Sequence, residues 1–218
     1  MCSGRSVSKY AVSVKGVLRF QGKYLLRKNQ RNEYELLGGR LEERDSSFEE
    51  RLRAEFIEES GIQIQVVTHT EPWLYRIGDS GPVIITPFEC TVKAMPDQLF
   101  DQDGGELKWF TPQEVTRLNM PQGYAQTISG SIPSTSYSVA EGAFPRVYTN
   151  YTEYKFLISV ALHDEDGSPI ACIPMDERIS PRELIRKRID PRATDVCLIA
   201  GAPSRIDDGV VLNYRLRK

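Results

Sequence analysis

The sequence predicts an α/β fold with a mixed β-sheet, followed by a small C-terminal α+β unit. Three observations predict this class. Through about residue 128 the elements follow the order strand, strand, helix, three strands and a helix. The first of the two helices is amphipathic and has distinct start and stop signals. Residues 129–145 are rich in Ser, Gly, Pro and Thr, and a second group of strands follows them.

Turn residues mark the ends of the strands in the first part of the chain. Gln21-Gly22 between two apolar runs predicts a β-hairpin, and Gly-Asp-Ser-Gly-Pro at 78–82 predicts a turn. Thr111, followed by a proline and then Glu114, has the pattern of a capping box at the start of a helix. The predicted β-rich runs are 10–20, 23–27, 62–75, 83–94 and 106–110.

The first predicted helix has signals at both ends. Ser46 and Ser47 each precede a glutamate by three residues, which gives two overlapping options for the N-cap. Gly61 stands where a left-handed C-terminal cap is expected. Between these ends, the apolar stripe that would face a core consists of Phe48, Leu52, Phe56 and Ile57.

An acidic cluster lies on the other face of this helix. Glu55, Glu58 and Glu59 are spaced at i, i+3 and i+4, so their carboxylates project from one side and repel one another. A divalent cation bound through oxygen atoms would compensate for the repulsion. The alternative is an acidic face in contact with solvent only. The preceding pair Gly38-Gly39 has no side chains that would keep a ligand away from the backbone.

Together, the glycine pair and the acidic helix resemble the signature of the Nudix hydrolase family. That signature is Gly-x5-Glu-x7-Arg-Glu-U-x-Glu-Glu-x-Gly-U, in which U is a bulky aliphatic residue. The resemblance implies an α/β/α sandwich for the first domain and hydrolysis of phosphoanhydride bonds. The matching residues are Gly39, Glu55, Phe56, Glu58, Glu59, Gly61 and Ile62.

The sequence departs from the signature in three places. Ala54 stands where the family has an arginine, and the loop from Gly39 to Glu55 is one residue longer than strict register requires. Asp45 lies near the position of the family's earlier glutamate and is a shorter substitute for it. Arg51 lies one helical turn before Glu55, so it is a candidate for the role of the missing arginine.

The resemblance also implies roles for individual residues. It implies that Glu58 and Glu59 hold Mg²⁺ or Mn²⁺ with the backbone carbonyl of Gly39, and that Glu55 is a base or a further ligand. A glutamate from a later loop often contributes in this family, and Glu106 is the candidate here. The catalytic residues expected from the sequence are therefore Glu55 and Glu106. Glu106 has an alternative interpretation as an ordinary charge at a strand edge.

Candidates for substrate binding are fewer and less specific. Tyr34 and Trp73 are aromatic residues that could stack on a nucleobase, although aromatic residues on strands more often belong to a core. Arg40, directly after the glycine pair, is the third candidate. The expected partner is a nucleotide-type small molecule.

Composition limits the class of protein. The chain has 218 residues, a formal net charge of −2 and 40% hydrophobic residues, which is typical of a globular protein. The near-neutral charge argues against a dedicated nucleic-acid binder. The four cysteines form no C-x-x-C pair, and the sequence has no long apolar run and no signal-peptide pattern. We therefore expect a cytoplasmic protein without a membrane partner, and a homodimer remains possible.

The change in composition after residue 128 predicts three parts. These are a Nudix-like domain over 1–130, a linker or long loop over 131–152 and a C-terminal unit over 153–218. The last part forms either a small unit of its own or extra strands laid on the first domain, and it contains no catalytic motif. Its predicted elements are strands at 154–162, 170–173, 196–200 and 210–216 and a helix that begins after Ser180.

Two main functional hypotheses follow. The first is metal-dependent hydrolysis of a nucleoside diphosphate linked to another group. The second is a degenerate domain that binds a nucleotide-like ligand and acts as a sensor, regulator or scaffold. Ala54 and the longer loop favour the second hypothesis, whereas the three helix glutamates favour the first. Transfer or isomerisation of a diphosphate ester, which a few relatives of the fold perform, is a third possibility.

Overall fold

The structure is a computed structural model of the chain. It describes residues 9–77, 82–94, 99, 101, 105–133, 136–138, 154–176, 178–193, 195–199, 204–206 and 209–217. The strands are β1 (Lys9–Phe20), β2 (Lys23–Lys28), β3 (Tyr34–Glu35), β4 (Gln65–His69), β5 (Trp73–Ile77), β6 (Val83–Thr91), β7 (Glu106–Phe110), β8 (Ser136–Ser138), β9 (Phe156–His163), β10 (Pro169–Pro174), β11 (Val196–Leu198), β12 (Ser204–Ile206) and β13 (Gly209–Leu216). The helices are α1 (Phe48–Ser60), α2 (Pro112–Val115), α3 (Gln122–Ile128) and α4 (Pro181–Leu184), and a π-helix (Ile185–Ile189) continues α4.

Strand β1 is a central strand of the sheet and pairs with β2, β6 and β9. It pairs in parallel with β6 over residues 11–18, and its last residues form the predicted antiparallel hairpin with β2. Strand β2 then pairs with β3 and β7, and β6 pairs with β4 and β5. The sheet is mixed, as predicted, and its main path runs β11-β13-β9-β1-β6-β5-β8. The predicted α/β class is confirmed.

Alternate side chains of β1 enter two different apolar cores. Val12 and Val14 pack in the core that contains Phe56 of α1, whereas Ala11 packs in the core that contains Tyr124 of α3. This alternation follows from the two-residue period of a strand. It places helices on opposite faces of the sheet, which is the sandwich arrangement implied by the sequence. Gly16 allows the close approach of α1, because a Cβ atom there would lie 2.4 Å from the Phe56 ring.

The ends of α1 match the predicted signals. Of the two candidate serines, Ser47 is the N-cap, and its hydroxyl accepts a hydrogen bond from the backbone N–H of Glu50. Gly61 ends the helix in the left-handed conformation with φ 69°, and its N–H donates to the carbonyl of Ile57. With 13 residues, α1 is the longest helix of the described ranges, and none of the helices in those ranges is both long and apolar enough to cross a membrane.

The C-terminal strands continue the same sheet. Strand β9 pairs antiparallel with the start of β1, where Tyr10 faces Phe156, and it pairs in parallel with β13. Val160 and Tyr214 share one core with Val12. These contacts place the described C-terminal strands in the same sheet as β1. Most of the predicted linker, 131–152, lies outside the described residues, and Ser136–Ser138 within it form β8.

Candidate active site

A glycine turn, formed by Gly38 and Gly39, connects β3 to the loop before α1. It lies against β1, because the N–H of Val14 donates to the carbonyl of Gly39 at 2.9 Å. Gly38 has φ 126°, and a Cβ atom there would lie 2.2 Å from the carbonyl oxygen of Val14. A Cβ atom on Gly39 would lie 2.0 Å from Oε1 of Glu55. Gly38 therefore requires glycine, whereas a side chain at Gly39 would displace the Glu55 carboxylate, so the turn lies in contact with an α1 carboxylate.

Two of the three helix glutamates are buried beside this turn. Glu55 and Glu59 are 7% and 6% exposed, although ionised carboxylates are rarely buried to this extent without partners. Oε2 of Glu59 accepts a hydrogen bond from the N–H of Gly38 at 2.8 Å. Burial raises the pKa of Glu55 above its ordinary value and raises the pKa of Glu59 to about 7. Proton binding at Glu59 is therefore shifted towards neutral pH.

Arg51 lies in contact with Glu55, as a residue that replaced the family's arginine would. Its guanidinium donates a hydrogen bond to Oε1 of Glu55, one helical turn further along α1. It also lies 3.7 Å from a carboxylate oxygen of Glu42 and 3.9 Å from one of Asp45. Arg51 thus connects Glu55 to the loop that is longer than the family signature, and this contact orients the carboxylate.

Arg27 of β2 forms an ion pair with the carboxylate of Glu59. Its Nη1 lies 3.3 Å from Oε1 of Glu59, and its Nε donates to Oδ2 of Asp101 at 2.6 Å. Burial would lower the pKa of Arg27, but the hydrogen bond to Asp101 and the charge of Glu59 outweigh this effect and raise it. Gly105 is also close, because a Cβ atom there would lie 2.2 Å from Asp101.

A third cation lies in the same region. Lys15 of β1 is 6% exposed, and its Nζ donates to the carbonyl of Gly38 at 2.5 Å. The same atom lies 3.8 Å from Oε1 of Glu35. The positive charge of Lys15 lowers the pKa of both Glu55 and Glu59, and for Glu59 its effect exceeds that of Arg27.

A cavity of about 560 Å³ is lined in part by the glycine turn, Lys15, Arg27, Glu55 and Glu59. Arg31 and Arg40 add two further guanidinium groups to its wall. Another part of the wall is aromatic and aliphatic, with Tyr75, Tyr124, Ile77, Val83 and Ile85. The cavity therefore combines buried carboxylates, several cations and an apolar surface in a volume that suits a small molecule.

The other predicted site residues lie in different surroundings. Glu58 is exposed on α1, close enough that its charge raises the pKa of Glu55. Glu106 is exposed on β7, outside the described lining of the cavity, where it pairs in register with Lys28. From the same loop region, the structure instead brings the buried carboxylate of Asp101 towards Glu59, through Arg27.

The three residues predicted to bind the substrate also lie in different surroundings. Arg40 lines the cavity. Tyr34 lies outside its described lining and packs edge-to-face on Phe110, with ring centroids 4.8 Å apart. Trp73 is 1% exposed and packs against Tyr124, so its ring is a core side chain and its position does not support stacking on a base. This follows from the tendency of strand aromatics to fill cores.

Sequence reasoning missed three residues of this site. Lys15, Arg27 and Asp101 were not among its candidates, although the first two had a signal. Lys15 is a charged residue inside an otherwise apolar strand run, and Arg27 directly follows two buried leucines. A charged residue in such a position needs a partner, and this requirement points to a functional or structural cluster.

Comparison with protein-family models assigns the domain. A model described as NUDIX domain matches residues 7–129, which is more than half of the 218 residues. The chain belongs to the Nudix family. The match includes the glycine turn, all of α1 and strands β1 to β7. A search of curated proteins gave no match.

Solved structures show distant similarity to this Nudix chain. The E. coli ORF135 protein is 23% identical over 51% of this chain and 81% of its own, with a TM-score of 0.41. The MutT protein from Methanosarcina mazei Go1 is 20% identical over 55% of this chain and 89% of its own, with a TM-score of 0.47. The Nudix domain of Shewanella oneidensis NrtR, complexed with ADP ribose, is 19% identical over 55% and 84%, with a TM-score of 0.41.

The donor chemistry of the cavity fits the divalent metal that the family implies. Glu55 and Glu59 offer buried carboxylate oxygens, which hard cations prefer, and the cradle beside Gly39 is so close that a Cβ atom would fill it. In the described part of the chain, no three His, Cys, Asp or Glu side chains already converge as a metal cluster. A complete ligand set would therefore need backbone carbonyl, water or substrate oxygens as well.

Proposed function

We propose that this Nudix chain hydrolyses the phosphoanhydride bond of a nucleoside diphosphate linked to another group, with Mg²⁺ or Mn²⁺ as cofactor. The observation that carries the proposal is the burial of Glu55 and Glu59 against the glycine turn, inside a cavity. Two carboxylates are costly to bury, and a bound divalent cation would offset that cost. Family membership supports the same type of reaction.

The proposed metal ligands are Glu55, Glu58, Glu59 and the backbone carbonyl of Gly39. Glu58 would approach from the solvent side, since its own side chain is exposed. When bound, the metal would neutralise charge on the diphosphate and lower the pKa of the attacking water. Arg27 and Arg51 would keep Glu59 and Glu55 in position, because each guanidinium contacts the Oε1 atom of one carboxylate.

Proton transfer is assigned to Glu55, either as the base or as a further ligand. Arg51 contacts Oε1 of this carboxylate, so Oε2 is the atom that would accept a proton from water. Burial raises the pKa of Glu55, and a higher pKa makes a carboxylate a better base at neutral pH. Glu106, exposed on β7, would contribute only if its loop approached the cavity.

The cations and the apolar wall define the substrate class. Arg31 and Arg40 would contact phosphate oxygens, since guanidinium groups match them in geometry and charge. Tyr75 and Ile77 would border the base or the linked group. A ligand with both a diphosphate and a flat apolar part fits this combination better than inorganic pyrophosphate.

A panel of substrates tests the proposal. Nucleoside triphosphates, sugar nucleotides, dinucleotides and capped RNA would be incubated with Mg²⁺ and with Mn²⁺, and released mononucleotide and phosphate measured. We expect turnover of at least one class and a loss of about a hundredfold or more in kcat for Glu55→Gln and Glu59→Gln. Glu50→Gln, an exposed position on the same helix, is the matched control and should keep the wild-type rate.

The second candidate function is a nucleotide sensor without turnover. One observation favours it, namely that Lys15, Arg27 and Arg51 already compensate the buried carboxylates. Nucleotide binding measured by calorimetry, with no product from any substrate or metal in the panel, would favour this candidate over the hydrolase.

A further inference from the structure

Lys15 differs from the other charged residues of the cavity in its position. It belongs to the central strand β1, whereas Arg27 lies on β2 and Glu59 lies on α1. Its neighbours along the strand, Val14 and Val17, are buried apolar residues. The two-residue period of the strand points Lys15 to the cavity side, away from the core that holds Val12 and Val14. The position of its Cα atom is fixed, because the backbone of β1 pairs with β6.

The partners of Lys15 are oxygen atoms of the kind that would bind any cation in this site. Its Nζ donates to the carbonyl of Gly38 at 2.5 Å and lies 3.8 Å from Glu35. It exerts the strongest favourable charge effect on Glu59 and also lowers the pKa of Glu55. The ammonium group thus contacts a backbone carbonyl of the glycine turn and lines the same cavity as the buried carboxylates of Glu55 and Glu59.

We propose that Lys15 is a built-in cation of the carboxylate cradle and competes there with the divalent metal. The inference rests on the proposed function, since it takes Glu55 and Glu59 as metal ligands. The ammonium neutralises part of their charge before any metal arrives, so each divalent ion gains less on binding and is also repelled by Lys15. The chain is therefore a Nudix domain with weakened divalent affinity and one permanent cation facing the diphosphate.

This assignment explains why a lysine is tolerated in the strand. Burying an ammonium group is costly unless charged or polar partners surround it, and the cradle supplies them. In return, the carboxylates remain partly compensated in the absence of metal. The permanent charge would also act on an anionic substrate, for which a Lys side chain is a point-charge partner.

Removal of the charge tests the inference. Lys15→Gln removes the charge and keeps a donor for the carbonyl of Gly38, and Lys15→Met removes both. We expect each variant to bind Mn²⁺ about tenfold or more tightly than the wild type, because one like charge is removed from the site. The readout is the electron paramagnetic resonance signal of free Mn²⁺ during titration. Lys23→Gln, an exposed lysine of β2, makes the same change in net charge and should leave affinity unchanged.

Each outcome has a defined meaning. A variant that folds fully only when Mn²⁺ is added would support the inference, since the metal then replaces the ammonium. Unchanged or weaker Mn²⁺ binding in both folded variants would overturn it, as would failure of both to fold even with Mn²⁺. If neither the wild type nor the variants bind Mn²⁺, the proposed metal site itself fails, and the inference fails with it.

Discussion

The molecule contains two groups of buried charges that use similar residues in different ways. The cavity cluster consists of Lys15, Arg27, Arg51, Glu55 and Glu59. The junction cluster consists of Glu71, Arg182 and Tyr214, and it joins the segment between β4 and β5 to the C-terminal strands. Both clusters place glutamate against arginine with little exposure to water.

The junction cluster is balanced within itself. One oxygen of Glu71 accepts from Arg182 at 2.9 Å, and the other accepts from the hydroxyl of Tyr214 at 2.7 Å. Arg182 also donates to the carbonyl of Val196 and lies over the Tyr214 ring at 5.8 Å. Both carboxylate oxygens thus have donors with good geometry, as a structural ion pair requires.

The cavity cluster is compensated less completely. Glu55 and Glu59 keep raised pKa values in spite of three nearby cations, because burial outweighs the favourable charges. The cluster also borders a cavity, whereas Tyr214 of the junction cluster is fully buried. Charges that are buried at a cost and open to a ligand are typical of functional sites. We therefore propose a structural role for the junction cluster and a chemical role for the cavity cluster.

The largest expected effect on folding comes from removing the C-terminal strands, to which the junction cluster belongs. A chain that ends at Ser129 would lose β9 and β13, and Val12 and Phe56 would lose their apolar neighbours Val160 and Tyr214. We expect this shortened chain to be insoluble or to lack a cooperative thermal transition. A soluble chain with a sharp transition would show that the first domain folds alone, as its composition predicts.

The pH dependence of stability is the next way to distinguish the two clusters. The pKa of Glu59 is raised to about 7 in the folded protein, so the folded state binds more protons than the unfolded state between about pH 4.5 and 7. Stability should fall as pH rises through that window. In metal-free protein at pH 8, Glu59→Gln should therefore be more stable than the wild type, by up to about 3 kcal/mol. Denaturant unfolding at pH 5 and pH 8 measures this, and a variant less stable than the wild type at pH 8 would contradict it.

At the junction cluster, we expect a substitution to lower the stability of the protein and not to raise it. Arg182→Met leaves the Glu71 carboxylate without its charged partner and should destabilise the protein by about 1–3 kcal/mol, less than for a fully buried pair because Arg182 is partly exposed. Arg192→Met, at a largely exposed arginine, is the control and should change stability little. Equal effects of the two substitutions in urea unfolding would remove the distinction between the clusters.

A smaller effect tests the orienting role of Arg51. Arg51→Met should lower kcat/KM by about tenfold, the equivalent of losing about 1.4 kcal/mol of transition-state stabilisation. Ala54→Arg, at the family's arginine position, should do little because Arg51 already contacts Glu55. A large gain from Ala54→Arg with no loss from Arg51→Met would mean that the arginine role is vacant in the wild type.

Local signals in the sequence predicted much of the fold, and they predicted the glycine turn and the glutamates of the site. The Gln21-Gly22 hairpin, the serine and glycine caps of α1 and the capping box at Thr111 all form as predicted, because each depends on residues close together in the chain. Glu55, Gly39 and Glu59 meet for the same reason, since one helix and one turn position them.

The remaining features depend on contacts between distant segments. Lys15 reaches the glycine turn from another strand, and Asp101 reaches Glu59 only through Arg27. Trp73 fills a core because Tyr124, far along the chain, packs against it. The attachment of β9 to β1 depends on the pairing of Tyr10 with Phe156, two residues far apart in the chain, and no local pattern specifies it.

Binding of Mn²⁺ to carboxylate variants tests the central claim most directly, because it does not require knowledge of the substrate. Isothermal titration calorimetry would compare the wild type with Glu59→Gln and with the control Glu50→Gln. The account predicts that Glu59→Gln weakens Mn²⁺ binding about tenfold or more, on the order of 1.4 kcal/mol, and that Glu50→Gln leaves it unchanged. Equal Mn²⁺ affinity in all three proteins would contradict the account, since the buried carboxylates of the cavity cluster would then hold no metal.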